Sequence, residues 1–344
     1  MTTTTIPETM RASVLTEARK VEMQERPVPR PAADEVLVEV RSVGVCGSDV
    51  HYYEHGRIGD FVVRDPLVLG HEVSGVVVDV GRDVPEFRVG ERVAIDPQRP
   101  CRRCRYCATG RLNLCERLTF YATPPVDGAF CDYVTAPSDF AHRVPDDLSD
   151  HAAALLEPFS VGLWACGKAG IEPGSRVLVT GAGPIGALAS LAARSYGATE
   201  VVVTDLVESR RERILSFGAT SAHDPREIDL STLDVDAFIE CSGATPAVQS
   251  GLTALRGQGT AVLVGLGEET MPLPVQLIAS RELVVTGVFR YVDTWPKAIA
   301  AAHGPGVDLD ELVTAEYPLE QAEDALTSDA DPQSMKSVVV VSRG

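Results

Sequence analysis

The chain has 344 residues, of which 44% are hydrophobic and 23% charged, a length and composition typical of a globular protein with two domains. Its formal net charge of −18 argues against binding to nucleic acid or to an anionic membrane surface, because both require basic patches. The N-terminal residues have neither the basic region nor the apolar core of a secretory signal. The eight cysteines then favour metal sites or buried thiols over disulfides. We expect a cytoplasmic protein without a membrane segment.

The first half of the chain has the pattern of a β domain. Residues 1–10 are expected to form a loose tail. After it, short alternating stretches broken by Gly and Pro, at residues 36–40, 73–80 and 92–95, predict an all-β, barrel-like domain that extends to about residue 159.

Two ends of these predicted strands carry metal-ligand residue types. Cys46 follows residues 36–40, where a loop is expected to begin, and His71 with Glu72 opens the strand at 73–80. A thiolate, an imidazole and a carboxylate are common ligands of a catalytic zinc, which keeps one open position. Taken singly, a cysteine is more often a small buried hydrophobic residue, and a histidine is often an ordinary core residue. A helical metalloprotease motif is excluded, because Gly75 stands where that motif needs its second histidine.

A second cluster consists of cysteines alone. Cys101, Cys104 and Cys107 have CxxCxxC spacing, and Cys115 follows after a seven-residue gap. Four thiolates complete a tetrahedral zinc site with no open position, so the predicted role is structural. An iron–sulfur cluster is the alternative, but its common bacterial spacing has a three-residue gap and a following proline. A disulfide-bonded lobe is disfavoured in a reducing compartment.

From about residue 160 to 290 the pattern changes to strands that alternate with helices. A buried strand at residues 176–180 runs directly into the glycine-rich turn 181–186, and a small-residue helix at 187–195 follows. The turn has GxGxxG spacing, in which glycines let a pyrophosphate approach a helix N-terminus. Further predicted strands at 200–204, 237–240, 261–266 and 283–288 complete a doubly wound parallel sheet.

Asp205 ends the second of these strands, 19 residues after Gly186, where an acidic side chain binds the ribose of the adenosine. A carboxylate there accepts hydrogen bonds from both ribose hydroxyls and repels a 2′-phosphate, which predicts NAD rather than NADP. Arg210 and Arg211 would instead favour NADP, since an arginine near this position can bind the 2′-phosphate. Alternatively, the two arginines lie on a solvated helix face or stack on the adenine.

The last part of the chain is expected to return to the first domain. Helices are predicted at residues 295–302 and 319–326, and a strand at 337–341. The predicted domains are therefore 1–159, 160–290 and a returning segment 291–344. Glu157 lies at the first junction and so at the mouth of the expected cleft, whereas Cys166 and Cys241 are expected to be buried core thiols.

Together, Cys46, the Gly-His-Glu triplet at 70–72, the four-cysteine lobe and the glycine-rich turn resemble the zinc-dependent medium-chain dehydrogenases over essentially the whole chain. Residues 46–61 (CGSDVHYYEHGRIGDF), with ATPP at 122–125 and VFRY at 288–291, are most similar to the polyol branch, the sorbitol and xylitol dehydrogenases. The resemblance implies an α/β protein, with a GroES-like β-barrel catalytic domain and a Rossmann NAD-binding domain.

The resemblance also implies roles for individual residues. Cys46, His71 and Glu72 are expected to bind the catalytic zinc. Glu157 is expected to hold the zinc-bound water or to take its place, so which glutamate contacts the ion stays open. The proton is expected to leave through Ser48 or through the water that Glu157 holds. The polyol pocket is expected to be lined by Ser48, Tyr52, Phe120, Thr123, Glu157, Arg290 and Tyr291. The NAD contacts are expected at Gly181, Gly183, Ile185, Gly186, Asp205, Arg210, Val264, Gly265, Leu266, Val288, Phe289 and Arg290.

The implied activity is oxidation of a polyol at C2 to the ketose, with hydride transfer to NAD, two zinc ions per subunit and a homotetramer. A threonine or 2,3-butanediol dehydrogenase of the same family is the nearest alternative. A non-catalytic nucleotide-binding or redox-sensing protein is the alternative from another class. The identity of the polyol and the direction of the reaction stay open.

Overall fold

The structure is a computed structural model, and it describes residues 6–304, 306–328, 331 and 333–342. Its contacts divide the chain into two units, one that runs to Glu157 and resumes at Asp308, and one that spans Pro158–Val307. In the described part of the chain, every helix is too short or too polar to cross a membrane. Residues 1–5 of the predicted tail lie outside the described residues, and Thr9 already begins a strand.

The first segment of the first unit is mainly β. Its strands are β1 Thr9–Glu17, β2 Lys20–Pro27, β3 Glu35–Gly44, β4 Arg57–Ile58, β5 Phe61–Val62, β6 Leu67–Val68, β7 Glu72–Val80, β8 Arg92–Ile95, β9 Gln98–Arg99, β10 Thr119–Phe120, β11 Tyr133–Pro137 and β12 Ala141–Arg143. Its helices are α1 Gly47–His55 and α2 Asp150–Ala154. The alternating residues of β3 and β7 bury their apolar faces in one core, with Val38, Val40, Val73 and Val77 all fully buried.

The second unit is a parallel sheet with intervening helices, which confirms the predicted doubly wound architecture. Its elements are α3 Leu156–Ala169 (whose first two residues belong to the first unit), β13 Arg176–Thr180, α4 Pro184–Ser195, β14 Glu200–Thr204, α5 Glu208–Arg213, β15 Ser221–His223, β16 Val235–Glu240, α6 Thr245–Ala254, β17 Leu255–Leu263, α7 Val275–Ser280, β18 Val284–Gly287 and α8 Trp295–Ala302. The strand order is β15-β14-β13-β16-β17-β18. The strand β15 is the one that the sequence pattern did not indicate.

The chain then returns to the first unit through β19 Val313–Pro318, α9 Ala322–Thr327 and β20 Lys336–Val340. There β20 pairs with β3, and the sheet has the order β12-β8-β7-β3-β20-β19, with β11 also on β3. The returning segment starts at Asp308, whereas the sequence placed it at residue 291. Residues 291–307 stay with the second unit, where Trp295 and Ala298 of α8 are buried.

The segment after Cys46 corrects a sequence expectation, because it forms the helix α1 where a loop was expected. The side chain of Asp49 accepts a hydrogen bond from the backbone N–H of Cys46 (3.1 Å), which satisfies a donor that a helix start would otherwise leave open. The helix ends at Gly56, whose φ of 66° suits glycine and whose N–H donates to the carbonyl of Tyr52.

Candidate metal centre and dinucleotide site

Two neighbouring strands bring the predicted zinc ligands together. Gly44, the last residue of β3, is directly opposite Glu72, the first residue of β7. Cys46 follows two residues after Gly44, and His71 directly precedes Glu72. One ligand atom from each of Cys46, His71 and Glu72 lies within 4.8 Å of the others. Such a spacing of a sulfur, a ring nitrogen and a carboxylate oxygen suits one tetrahedral ion.

A buried carboxylate orients the imidazole of this group. Oδ1 of Asp49 lies 3.5 Å from Nδ1 of His71, and it also accepts a hydrogen bond from the backbone N–H of Gly70. This contact favours a proton on Nδ1 and leaves Nε2 as the ligand atom. Burial by itself lowers the pKa of His71, but Asp49 and Cys46 raise it well above its ordinary value in the metal-free protein.

The carboxylate of Glu72 is fully buried and its two oxygens differ. Oε1 accepts a hydrogen bond from Nζ of Lys336 (2.6 Å), whereas Oε2 has no hydrogen-bond partner within the described residues. A buried carboxylate oxygen without a partner is costly, and a metal ion beside Cys46 and His71 would satisfy it. The residues present therefore fit zinc.

Glu157 is not a member of the group of three ligand atoms. It is 4% exposed and lies at the start of α3. Burial by itself lowers the pKa of Lys336, but the charges of Glu72, Cys46 and, least of the three, Glu157 raise it above its ordinary value. The donors that approach within 4.8 Å of one another include Glu72 and not Glu157.

The cysteine lobe forms a second group of donors. Its four ligand atoms, from Cys101, Cys104, Cys107 and Cys115, all lie within 4.8 Å of one another. Sulfurs around one zinc ion are separated by about 3.8 Å, given a Zn–S bond of about 2.3 Å, so the spacing suits a single ion. Backbone N–H groups of Cys107 and Glu116 lower the pKa of Cys104 to about 6, which favours a thiolate. All eight cysteines, each of them in the described residues, are free of disulfides.

The family resemblance assigned four further residues of the first unit to a substrate pocket, and one of them, Phe120, contacts a residue of the first group. Ser48 is half-buried in the first turn of α1, and Tyr52, one turn later, is 4% exposed. The ring of Phe120 is 5.4 Å from the ring of His71. The backbone N–H of Thr123 donates to the carbonyl of Phe120 (3.2 Å), which places Thr123 on the turn that follows β10.

In the second unit, the glycine-rich turn joins β13 to α4 as the sequence predicts. Gly181 has a φ of 89°, and a side chain at Gly186 would place its Cβ 1.8 Å from the carbonyl oxygen of Gly181. Gly183 immediately precedes the helix that begins at Pro184, and Ile185 lies in its first turn. The turn therefore presents a helix N-terminus that suits a pyrophosphate.

Asp205 follows β14 and stabilises the same turn. Its Oδ2 accepts a hydrogen bond from the backbone N–H of Ala182 (2.7 Å), and its Oδ1 accepts one from Val207 (2.8 Å). Arg211 donates to the carbonyl of Asp205 (2.9 Å), while Nε of Arg210 has no hydrogen-bond partner in the described residues.

The remaining predicted cofactor residues lie at the ends of β17 and β18. The backbone N–H groups of Val264 and Gly265 both donate to the carbonyl of Glu240. Leu266 and Phe289 are exposed by 66% and 48%. The backbone N–H of Val288 donates to the carbonyl of Leu263, and the guanidinium of Arg290 lies 4.9 Å from the centre of the Phe289 ring. Tyr291, which was expected in the substrate pocket, is fully buried.

Three residues that contact the metal ligands were not predicted from the sequence, namely Asp49, Gly44 and Lys336. Asp49 had a signal, because an acidic residue three positions after a helix start is a capping pattern. Gly44 and Lys336 had none. Lys336 lies 264 positions after Glu72, and only the pairing of β20 with β3 brings the two side chains together.

The chain matches two family models that together cover more than half of its length. Residues 32–146 match the alcohol dehydrogenase GroES-like domain, and residues 184–303 match zinc-binding dehydrogenase. The first match covers Cys46, His71, Glu72 and the cysteine lobe.

Individual proteins are similar over nearly the whole chain. Sorbitol dehydrogenase of Bacillus subtilis is 44% identical over 333 residues, which cover 94% of each chain. Sorbitol dehydrogenase of Bos taurus is 43% identical over 327 residues, or 92% of each chain. The crystal structure of L-idonate 5-dehydrogenase from Escherichia coli is similar with a TM-score of 0.91 and 30% identity, over 97% of this chain and 98% of that chain.

Proposed function

This chain belongs to the zinc-dependent medium-chain dehydrogenases, in their polyol dehydrogenase branch, and on that premise we propose that it oxidises sorbitol, xylitol, iditol or a similar polyol at C2 to the ketose, with NAD as the acceptor. The observation that carries the proposal is the buried group of Cys46, His71 and Glu72, whose ligand atoms lie within 4.8 Å of one another. It occurs in a chain 44% identical to a sorbitol dehydrogenase.

When bound, zinc supplies a Lewis acid that lowers the pKa of the C2 hydroxyl, and NAD supplies the acceptor for the hydride. The residues of the chain would hold the substrate and move the proton. Ser48 lies two residues after Cys46 on α1, and we assign to its hydroxyl the first transfer of the proton away from the C2 oxygen. Glu157 is the proposed acceptor that holds a water near the metal.

Glu72 is the proposed third protein ligand of the catalytic zinc. Its carboxylate is in the group of donors, and its Oε2 has no hydrogen-bond partner in the described residues. Cys101, Cys104, Cys107 and Cys115 are the proposed ligands of a second, structural zinc, which leaves no coordination position for substrate.

The remaining hydroxyl groups of the polyol need hydrogen-bonding partners. We assign this role to Tyr52, Thr123, Arg290 and Tyr291, and to Phe120 an apolar wall beside His71, because its ring lies 5.4 Å from that imidazole. A site built to hydrogen-bond hydroxyls discriminates strongly against substrates that lack them. This favours a polyol over 2,3-butanediol or threonine.

Preference for NAD over NADP is proposed from Asp205. Backbone N–H groups hold its carboxylate in place at the end of β14, where negative charge would repel a 2′-phosphate. Gly181, Gly183, Ile185 and Gly186 would form the pyrophosphate turn, with Arg210, Val264, Gly265, Leu266, Val288, Phe289 and Arg290 as further contacts.

A cytoplasmic homotetramer is the proposed assembly. In the second unit β18 is an edge strand of the sheet, and its Val284 is 52% exposed. Val275 of α7 in that unit is exposed by 71%. Edge strands with exposed apolar residues favour association, so a second copy of the chain could pair there.

The test is the rate of NADH formation with sorbitol, xylitol, ribitol, iditol, threonine and 2,3-butanediol, before and after treatment with a chelator. We expect turnover with polyols, loss of that turnover on chelation and recovery with zinc. Faster turnover with threonine or butanediol would favour the nearest alternative. Binding of NADH without turnover of any of these substrates would favour a non-catalytic nucleotide-binding protein.

A further inference from the structure

Lys336 is a buried lysine whose ammonium group donates hydrogen bonds to one residue of the metal group and to the neighbour of another. Its residue is 4% exposed, and its Nζ donates to Oε1 of Glu72 (2.6 Å) and to the carbonyl of Val45 (2.7 Å). Lysine is almost never fully buried unless its charge is paired. Here one partner is a candidate zinc ligand, and the other directly precedes the ligand Cys46.

The opposite side of the same carboxylate is fixed by Gly44. A side chain at Gly44 would place its Cβ 1.9 Å from Oε2 of Glu72, so the carboxylate occupies the space that a glycine leaves open. Lys336 therefore holds one oxygen of Glu72, and the backbone of Gly44 lies against the other. Since Oε1 is already engaged, Oε2 is the oxygen left for a metal ion.

We propose that Lys336 is a positioning residue of the metal centre, which holds Glu72 by Oε1 so that Oε2 alone coordinates zinc. The proposal rests on the proposed function, in which Glu72 is the third protein ligand. Replacing a partner that orients a ligating side chain typically lowers metal affinity by roughly 10- to 100-fold. Without the ammonium group, Oε1 would be a buried acceptor with no donor, and the carboxylate would turn or bind the ion through both oxygens.

Zinc affinity tests this proposal independently of turnover. Lys336→Met removes the charge and keeps most of the length, and Lys20→Met on β2 is the matched control, because Lys20 has a side chain 52% exposed and pairs with Glu22. Competition with a chromogenic chelator gives the Kd of each ion, and the zinc of the cysteine lobe is the internal reference. We expect Lys336→Met to weaken the zinc at Cys46 by roughly 10- to 100-fold. The zinc affinity of the cysteine lobe in Lys336→Met should be unchanged, and so should both zinc affinities of Lys20→Met. Equal affinity in Lys336→Met and wild type would overturn the proposal.

A purely structural ion pair predicts a different result. It would lower the melting temperature of metal-free and zinc-loaded protein by the same amount, whereas a positioning role reduces the rise in melting temperature that zinc produces. An unreduced rise in Lys336→Met would overturn the proposal.

Should Lys336→Met not fold, Lys336→Arg keeps the charge and the donors but moves them outward. The visible spectrum of the protein with Co²⁺ in place of zinc reports the ligand geometry. We expect Co²⁺ to bind with bands shifted from those of wild type, because the longer side chain displaces Glu72. A spectrum and a zinc affinity identical to those of wild type would overturn the proposal. If wild type itself binds no metal at Cys46, the proposed function fails instead, so the two failures are distinguishable.

Discussion

Oδ1 of Asp49 lies 3.5 Å from Nδ1 of His71, and the two side chains are 1% and 8% exposed. The same carboxylate group also accepts hydrogen bonds from the backbone N–H groups of Gly70 and Cys46. The buried side chain of Asp49 therefore contacts the backbone of the sulfur ligand Cys46 as well as the imidazole ligand His71 and the residue before it. This explains why α1 must begin directly after Cys46.

Asp49→Asn should weaken the zinc at Cys46 and His71 by roughly 10- to 100-fold, since an amide holds the imidazole less firmly than a carboxylate does. The Kd from chelator competition checks this. Asp79→Asn, at an exposed position of β7, is the control and should bind zinc like wild type. Unchanged affinity in Asp49→Asn would show that the carboxylate does not orient His71.

Asp205→Ala should reduce the preference for NAD over NADP by about tenfold or more, which corresponds to about 1.4 kcal/mol, because the charge that repels a 2′-phosphate is lost. The ratio of kcat/KM for the two cofactors measures it. Glu208→Ala, on the exposed start of α5, should leave the ratio unchanged. A ratio that stays at the wild-type value in Asp205→Ala would assign the preference to other residues.

Cys104→Ser should lower the melting temperature and remove one zinc ion per subunit, while protein that remains folded keeps its kcat. The reason is that four thiolates hold this lobe together and leave no position for substrate. Zinc content and thermal unfolding check the result. Cys241→Ser, in the second unit, should keep both ions. A Cys104→Ser protein with the zinc content and melting temperature of wild type would contradict the structural role.

Acid should destabilise the protein partly through His142 on β12, because burial lowers its pKa to about 4. The unfolded chain, with a histidine pKa of about 6.5, binds the proton more tightly than the folded one. The free energy of folding that the neutral, buried His142 contributes is therefore fully present above about pH 6.5. It is lost as the pH falls towards 4, by at most about 1.4 kcal/mol per pH unit.

His142→Gln should accordingly flatten the dependence of the free energy of unfolding on pH between about 6.5 and 4. His55→Gln is the control, because the side chain of His55 is 53% exposed. Denaturant unfolding at a series of pH values measures the slope. Equal slopes in His142→Gln and wild type would show that His142 does not cause the loss of stability in acid.

Much of the fold follows from local patterns in the sequence. The strand Arg176–Thr180 and the helix Trp295–Ala302 lie where their patterns predict them, because a short run of buried apolar residues and a periodic apolar face are local signals. The short strand Ser221–His223 has no such signal. Its three residues are all half-buried, so only its pairing with β14 makes it a strand.

The metal group likewise combines residues that local sequence patterns identify with one that they do not. Cys46, His71 and Glu72 could be identified as donors from their residue types and from their position at strand ends. Lys336 could not, since its role depends on the pairing of β20 with β3 far along the chain. A helix after Cys46 could have been predicted from Asp49, but the glycine at 47 weakens the helical pattern at its first position.

The most direct test of the metal centre is the zinc content per subunit of the purified enzyme, measured with its activity, in wild type and in Cys46→Ser. We expect two zinc ions and polyol turnover in wild type, against one ion and no turnover in Cys46→Ser. An active wild type that holds zinc only in the cysteine lobe, or a Cys46→Ser protein with full activity, would contradict the account.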